Sequence, residues 1–434
     1  MTRVFSLRPS LLFLTGLGLA TAIAVGADGA GRVARQPLAG LDLAQPATPA
    51  PLAPRPLTTA DRAAAATAWR YMEANTHPET GLVSSVAGYP SSTMWDQASY
   101  ILALVAAERL EVIDADELSW RAGKILDSLS RMALVDDQLP NKAYHTGTLA
   151  MVDYGNSPTP RGIGWSAVDM GRMLVALRVL EDRHPQFRDW VRGVVARWNL
   201  DGIAVGGELI GTRREDGEET ALEHLQEGRI GYEQYAARGA ALWGLDATSA
   251  ISAGRVIDWH GVAGVEVATD LRRAASFGAI TPVVSEPYLL QGLELGLNGE
   301  GARLAAAVYR AQENRHARTG QLTAVSEDHI DQKPSFLYNA VFSNGRDWAV
   351  VTEKGSFHPE LRTVSLKAAF GWDALYGTDY TARLRTELAD LAGPGGWAAG
   401  RYEADGEPNA ILTLNTNAVV LESLYYKAFG PMLR

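Results

Sequence analysis

Apolar positions along this chain sort into two kinds of helical stretch. In the first kind the residues are apolar or small nearly all round: WDQASYILALVAAERL from Trp95, GWSAVDMGRMLVALRVL from Gly164, IGYEQYAARGAALWGL from Ile230, SEPYLLQGLELGL from Ser285, TVSLKAAFGWDALYG from Thr363 and NTNAVVLESLYYKAFG from Asn415. In the second kind apolar residues recur at three and four with charge between them: TADRAAAATAWRYMEAN from Thr59, DELSWRAGKILDSLSRMA from Asp116, PQFRDWVRGVVARW from Pro185, GEGARLAAAVYRAQENR from Gly299 and DYTARLRTELADLA from Asp379. A helix apolar on every side is buried, and a one-faced helix covers it from outside. The two kinds alternate, and a weak sixth outer segment, DATSAISAGRVI from Asp246, completes the series. The alternation predicts an all-α fold, an (α/α)6 barrel of six inner and about six outer helices. No short-period repeat accompanies it, which argues against a solenoid.

Several connections are too long to be turns. Those around Val135–Gly162, Leu200–His224 and Thr319–Gly355 carry short alternating stretches and glycine turns. They predict small β-hairpin insertions in the loops at one end, where the loops entering the inner helices would open a cleft. Ahead of the body, Arg3 and Arg8 precede an apolar run from Leu11 to Val25 and the small residues AVGADGAG. Residues 1–30 thus read as a signal peptide or membrane anchor. The run is short for a spanning helix of ~20 residues, so export to the periplasm or beyond is favoured over a retained inner-membrane tether. Residues 31–57 read as a Pro/Ala-rich linker, and residues 58–434 as one glycoside-hydrolase-like barrel domain.

Composition narrows the chemistry. The 434 residues carry a formal net charge of −10 and no cysteine. Thiolate catalysis, thiolate metal sites and disulfides are excluded, and no basic strip marks a nucleic-acid partner. The eight histidines form no HxxxH or HxH pair, and the acids around His329, from Glu327 to Asp331, lack the spacing and glycine of a calcium loop. Neither a P-loop nor a G-x-S-x-G motif occurs. The reading therefore includes no metal and no cofactor.

The starts of the inner helices collect carboxylates, rings and amides. They supply Trp95, Asp96 and Gln97; Trp165 and Asp169; Glu227, Arg229, Tyr232 and Glu233; Glu286 and Tyr288; Lys367 and Trp372; and Asn415 and Asn417, with Glu403 and Glu407 just before the last helix. Rings cover the apolar faces of sugars while carboxylates and amides bind hydroxyls. Any one of these acids could instead cap a helix. Two carboxyl groups suffice for glycoside hydrolysis. Glu233, one turn inside the third helix, is the expected general acid, with Arg229 pairing to Glu227. Asp169 and Glu286 lead as the base, supported by Glu227 and Asp96, and Glu403 is a further candidate. Trp95, Trp165, Tyr232, Tyr288 and Trp372 are the expected sugar platforms, with Arg229, Asn415, Asn417 and Glu403 as polar contacts. A non-catalytic glycan-binding or assembly subunit of an exopolysaccharide system is the alternative. A polysaccharide lyase using Tyr144, His145 and Arg161 is a third reading, which the acidic chain disfavours.

The motifs THPETGLV, TMWDQASYILAL, LPNKAYHTG, GIGWSAVDMGR, EGRIGYEQYAA, VVSEPYLLQGLELG, LTAVSEDHID and LTLNTNAVVLESL resemble a bacterial exported family, the domain-of-unknown-function family 3131, which is glucoamylase-like. The resemblance covers about Thr58 to Pro431. More distantly, ETGLV, WSAVDMGRMLVAL and GYEQYAARGAALWGLD look like the glycoamylase-like β-1,2-glucanases. That likeness implies an acidic residue of the cleft at Glu233 and a second-helix aspartate at Asp169, although Gln234 interrupts the family's Glu-Tyr pair.

Overall fold

The computed structural model describes residues 49–214, 221–272, 278–297 and 299–433. The expected signal or anchor and most of the linker lie outside the described residues. Among the described residues no helix is long and apolar enough to cross a membrane.

In chain order the helices are α1 (Thr59–Asn75), α2 (Met94–Arg109), α3 (Ala115–Arg131), α4 (Ala167–Arg183), α5 (Arg188–Val195), α6 (Tyr232–Ala241), α7 (Glu286–Leu290, prolonged by a π-helical turn over Gln291–Leu295), α8 (Gly299–Thr319), α9 (Leu366–Tyr376), α10 (Asp379–Glu387) and α11 (Leu414–Phe429). Helices α2, α4, α6, α7, α9 and α11 pack each against the next, and α11 returns to α2, so they close a ring. These are the stretches apolar on all sides: in α2 every residue from Asp96 to Ala107 is buried. Helix α1 lies on α11, α3 on α2, α5 on α4, α8 on α7 and α10 on α9. The result is a helical barrel.

Small residues set the closest approach. Gly171 of α4 faces Ala236 and Gly239 of α6, and a Cβ on Gly239 would sit 2.1 Å from the Gly171 carbonyl oxygen. No side chain fits between these backbones.

The expectation of an all-α molecule is corrected by the strands. The weak sixth outer segment forms turns, and the hairpin Ile257–Val262/Val265–Asp270 follows it and packs on α8. Its sequence has no sustained 3.6-residue apolar face, while IDWHGV and VEVATD are rich in β-formers. A few other strands lead directly into inner helices. Ser91–Thr93 pairs with Ala143–His145 ahead of α2, and Thr363–Ser365 pairs with Gly396–Tyr402 ahead of α9. The three long connections that suggested hairpins all contain strands.

Three of the six inner helices have side-chain caps at their N-termini. Thr93, Ser166 and Thr413 accept hydrogen bonds from the backbone N–H of Asp96, Asp169 and Thr416, satisfying donors that a helix start leaves open. At the opposite pole the described end of the expected linker, from residue 49, is held against the barrel. Leu52 N–H donates to the Leu375 carbonyl and Arg55 N–H to the Lys427 carbonyl, both at 2.7 Å. This segment straps the C-terminal ends of α9 and α11. A recess of about 430 Å³ beside it is lined by Pro54, Arg55, Arg62, Arg109 and Phe429, at the C-terminal ends of the inner helices α2 and α11 and not at their starts.

Substituting Gly239→Ala should force α4 and α6 apart and cost about 1–3 kcal/mol, read as a lowered urea midpoint. An unchanged midpoint would show that this contact does not set the ring's packing.

Candidate active site

Charge in the interior of an apolar ring must be paired. Arg172, on the buried face of α4, has no exposed surface and faces Glu422 at 3.2 Å, Glu294 at 3.5 Å and Glu286 at 3.7 Å. Burial works against its charge, and Tyr235 with these carboxylates outweighs burial, so the guanidinium stays charged. Glu294 also accepts from the Tyr235 hydroxyl at 2.5 Å. Burial and the neighbouring Glu294 push Glu422 well above the usual carboxylate range, against the charge of Arg172. Toward the helix starts, Glu286 pairs with Lys367, and Lys367 reaches Asp328 at 3.5 Å. Glu286 accepts from Trp95 Nε1 at 3.2 Å and from Asn415 Nδ2 at 2.7 Å. One carboxylate of α7 thus ties α2, α4, α9 and α11 together at the floor of the mouth.

Above this floor lie Asp169 and Glu227. Glu227 enters from the connection before α6 and caps α4: it accepts from the Ser166 hydroxyl at 2.8 Å and from Ala167 N–H at 2.5 Å. The same Ser166 hydroxyl oxygen accepts from Asp169 N–H at 3.0 Å, so the two carboxylates share one helix turn. A Cβ on Gly211 would meet Glu227 Oε2 at 2.1 Å, so the carboxylate's seat requires glycine in that strand. Both acids keep partial solvent contact. Even so, burial, then the charge of Glu227, pushes Asp169 up to about 7 against the Ser166 hydrogen bond. Deep surroundings together with residual exposure describe a group on the wall of a cleft. Burial raises Glu227 as well, opposed by Ser166, the charge of Lys142 and the N–H groups of Ala167 and Val168. These contacts favour its ionised form, and Asp169 holds the proton of the two.

Other groups converge on this pair from the long connections. Tyr154 is 60% exposed, yet burial and then Asp169, Glu227, Glu353 and Tyr338 push its hydroxyl well above the ordinary range. The strand Glu327–His329 lines the cleft's inner side. Burial pushes Glu327 up to about 7 and Asp328 to about 6, both opposed by Lys367.

The remaining expected residues divide. Asp96 is buried and accepts from Thr93 at 2.7 Å and Ser85 at 2.5 Å. Trp95, Tyr232 and Asn415 are half-buried at the mouth. Three expected platforms are corrected. Trp165, Trp372 and Tyr288 are core residues, at 0%, 1% and 2% exposure, because their rings complete the packing of inner helices. Trp165 donates to the Ile210 carbonyl, and Trp372 donates to Ser285 and stacks on Tyr376. Gln97 and Asn417 are likewise buried, Asn417 bracing Trp397. Glu403 is held by Arg315 at 2.6 and 2.7 Å and by Arg362 at 3.3 Å.

Glu233 differs most from expectation. Arg272 donates to both its oxygens, at 3.1 and 2.6 Å, and also binds Asp270. Gln226 donates a further bond at 2.9 Å. Burial raises Glu233 and the charge of Asp270 adds to the rise, against the hydrogen bonds and charge of Arg272 and the charge of Arg229. Arg229 donates to Gln226 Oε1 at 2.8 Å and to the Gly228 carbonyl, and the charges of Asp270, Glu233 and Glu227 all act on it. Gln234 accepts from Gly231 N–H at 2.7 Å and closes the start of α6, a task for which an amide suffices. Glu286, the other leading base, is enclosed by Lys367, Arg172, Trp95 and Asn415. The lyase set is dispersed in role: Tyr144 is buried with its hydroxyl donating to the Ala133 carbonyl at 2.6 Å, His145 Nδ1 accepts from Gly147 and Thr148, and Arg161 pairs with Asp136.

Set against known proteins, the chain matches the family described as "Protein of unknown function (DUF3131)" over residues 63–430. Among curated proteins none matches it. Among solved structures it is similar to a candidate glucoamylase from Bacteroides fragilis NCTC 9343, with TM-score 0.64 and 13% identity over 88% of this chain and 94% of that one. It is similar also to an endo-β-1,2-glucanase from Chitinophaga pinensis in complex with sophorotriose and glucose, with TM-score 0.61 and 11% identity over 87% and 94% of the two chains. The endo-β-1,2-glucanase from Talaromyces funiculosus in complex with sophorose gives TM-score 0.58 and 11% identity over 86% and 84%. At these identities the likeness is one of fold.

Two outcomes follow from the geometry. Asp169, Glu327 and Asp328 bind protons more tightly folded than unfolded, where their ordinary values are 3.8, 4.5 and 3.8. The folded state therefore holds the extra protons between about pH 4 and pH 7, and stability falls as pH rises through that window. The melting temperature should be several degrees lower at pH 8 than at pH 5; a higher value at pH 8 would contradict the assignments. Gly211→Ala should leave the melting temperature nearly unchanged, since it displaces the end of a flexible side chain, but should shift the Asp169 titration by moving Glu227. An Asp169 titration identical to the parent's would show that Glu227 is not seated against Gly211.

Proposed function

The chain belongs to the DUF3131 family, and from its cleft we propose that it is a glycoside hydrolase acting on a glucan or related bacterial polysaccharide. The observation that carries the reading is the meeting of Asp169 and Glu227 at the start of α4, both partly exposed and joined through the Ser166 hydroxyl, with unequal proton affinities. Two carboxyl groups whose environments differ in this way are what acid/base cleavage of a glycosidic bond needs. Asp169 donates its proton to the leaving oxygen as the bond from that oxygen to the anomeric carbon breaks. Glu227, favoured as an anion by Ser166, Ala167 N–H and Lys142, either takes a proton from water as that water's oxygen bonds to the anomeric carbon, or attacks the carbon itself. The helical barrel serves as an (α/α)6 double ring, with the hairpin Ile257–Asp270 in the sixth outer place. The solved endo-β-1,2-glucanases of like fold make β-1,2-glucans the first substrates to try. The Leu11–Val25 run supports an exported, periplasmic or secreted protein. The acids around the cleft, with Lys142 against them, disfavour a lyase of uronates.

The test is a screen of the purified protein against linear and cyclic glucans of each linkage, read by released reducing ends. Asp169→Asn and Glu227→Gln should each lower kcat by about 10²–10⁴-fold while the protein stays folded, and activity should decline above about pH 7 as Asp169 loses its proton. Glu233→Gln should lower the melting temperature instead, because it weakens the Arg272 clamp. Oligosaccharide binding without turnover would favour a glycan-binding subunit, and full activity of Asp169→Asn would remove the acid assignment.

A further inference from the structure

We propose that the C-terminal pole of the barrel is a docking face for a membrane surface rich in anionic phospholipid, with Arg62 and Arg109 taking the headgroup phosphate. The face lies at the other end of the inner helices from the cleft and does not depend on the glycan reading. It is built around the recess of about 430 Å³ between the strap and the ends of α2 and α11. A second recess of about 380 Å³ is lined by Val105, Glu108, Arg183, His184 and Tyr425, and Arg109 lines both.

The basic side chains of this pole divide by what they hold. Arg55 donates to the carbonyls of Asp373 at 2.8 Å and Ala374 at 3.2 Å, closing the end of α9. Lys427 pairs with Asp61 at 2.8 Å, and Arg183 donates to the Met432 carbonyl at 2.8 Å. These three are committed to the fold. Arg62 and Arg109 are exposed, and among the described residues neither guanidinium makes a hydrogen bond or an ion pair. Arg109 lies 4.7 Å from the centroid of the Phe429 ring, which steadies the group through its face and leaves its edge donors open. Such an edge matches phosphate oxygens two at a time. A cation at a helix end offsets the dipole, which accounts for Arg109 at the close of α2. It does not account for Arg62, which stands near the start of α1, where a cation is disfavoured. Glu111 is the one acid lining the larger recess among the described residues.

The chain that enters this pole names the occupant. Residues 49–57 lie on it, and Pro54 and Pro56 are exposed beside the arginines. Ahead of the strap, 23 residues, 26–48, separate Pro49 from the apolar run that ends at Val25. At full extension they reach about 80 Å. Signal or anchor, that run takes the chain to a membrane. The pole that receives the strap is therefore the one nearest that membrane along the chain. Each basic side chain near an anionic bilayer favours docking. The opposite pole carries the carboxyls of the cleft, so docking through Arg62 and Arg109 turns the cleft away from the bilayer.

The test uses the full chain in vesicles of phosphatidylcholine with or without phosphatidylglycerol. The chain has no cysteine, so Ala53→Cys beside the recess and Thr148→Cys at the opposite pole each accept a single fluorophore. Docking is read as quenching by a headgroup-labelled lipid. The label at position 53 should be quenched in phosphatidylglycerol vesicles and the label at position 148 should not. Arg62→Ala and Arg109→Ala should each lower the docked-to-undocked ratio by about fivefold, with the melting temperature unchanged because both side chains are exposed. Quenching at position 53 that is equal in the two lipids, or that survives both substitutions, assigns the proximity to the tether alone and overturns the docking face. Quenching at position 148, or at neither position, overturns it as well. Calorimetric binding of inorganic phosphate through the two arginines, without quenching in phosphatidylglycerol vesicles, makes the recess a site for a soluble phosphate and overturns the membrane assignment. The hydrolase reading stands or falls separately, by the glucan screen.

Discussion

A guanidinium with no exposed surface, set among three carboxylates on the axis of an apolar ring, is the constraint on which the rest of the molecule depends. Arg172 cannot lose its charge and cannot reach water, so Glu286, Glu294 and Glu422 must come to it from α7 and α11. Glu294 reaches it from a π-helical turn, where one residue more per turn re-aims a side chain. Through Glu286 the pairing extends to Lys367, Trp95 and Asn415, and so to the starts of the remaining helices that face the cleft. The axial charges hold the register of the helix starts more specifically than interchangeable apolar contacts could.

That register places two acids at the start of α4 with different surroundings. A helix start stabilises negative charge, and Glu227 takes this advantage directly by accepting from Ser166 and Ala167 N–H. Asp169, on the same turn, receives its N–H contact through the backbone while its carboxyl faces burial and the charge of Glu227. The difference in proton affinity between the two thus arises from which acid the chain uses as the cap. Glu227 reaches this place only because residue 211 has no side chain.

Much of this was legible in the sequence. The six all-apolar helices, their alternation with one-faced ones, the hairpins in long connections and the gathering of acids at one pole follow from periodicity and from loop composition. Asp169 and Glu227 were both among the expected residues, but their partnership was not, since it joins two connections far apart in the chain. Glu233 drew attention through position, and its clamp, Arg272, lies outside any helix pattern. The axial cluster did leave a signal: Arg172, Glu294 and Glu422 interrupt helices that are otherwise apolar all round. Charge retained where hydrophobicity is continuous marks a buried partner, and those three interruptions name one another. Tyr154, Tyr338 and Glu353 left no such mark, because irregular connections carry no periodicity from which direction can be read. The buried rings of Trp165, Tyr288 and Trp372 show the converse, since nearness to a helix start does not decide which way a ring faces.

The central claim is that Asp169 holds a proton near neutral pH because it is buried and because Glu227 stands beside it as an anion. Carbon-detected NMR titration of the Asp169 carboxyl, in the parent and in Glu227→Gln, measures it directly. The account predicts a midpoint near 7 in the parent and a clear downward shift once the neighbouring charge is removed. A midpoint near the ordinary value of about 4 in the parent, or one indifferent to Glu227, would contradict it.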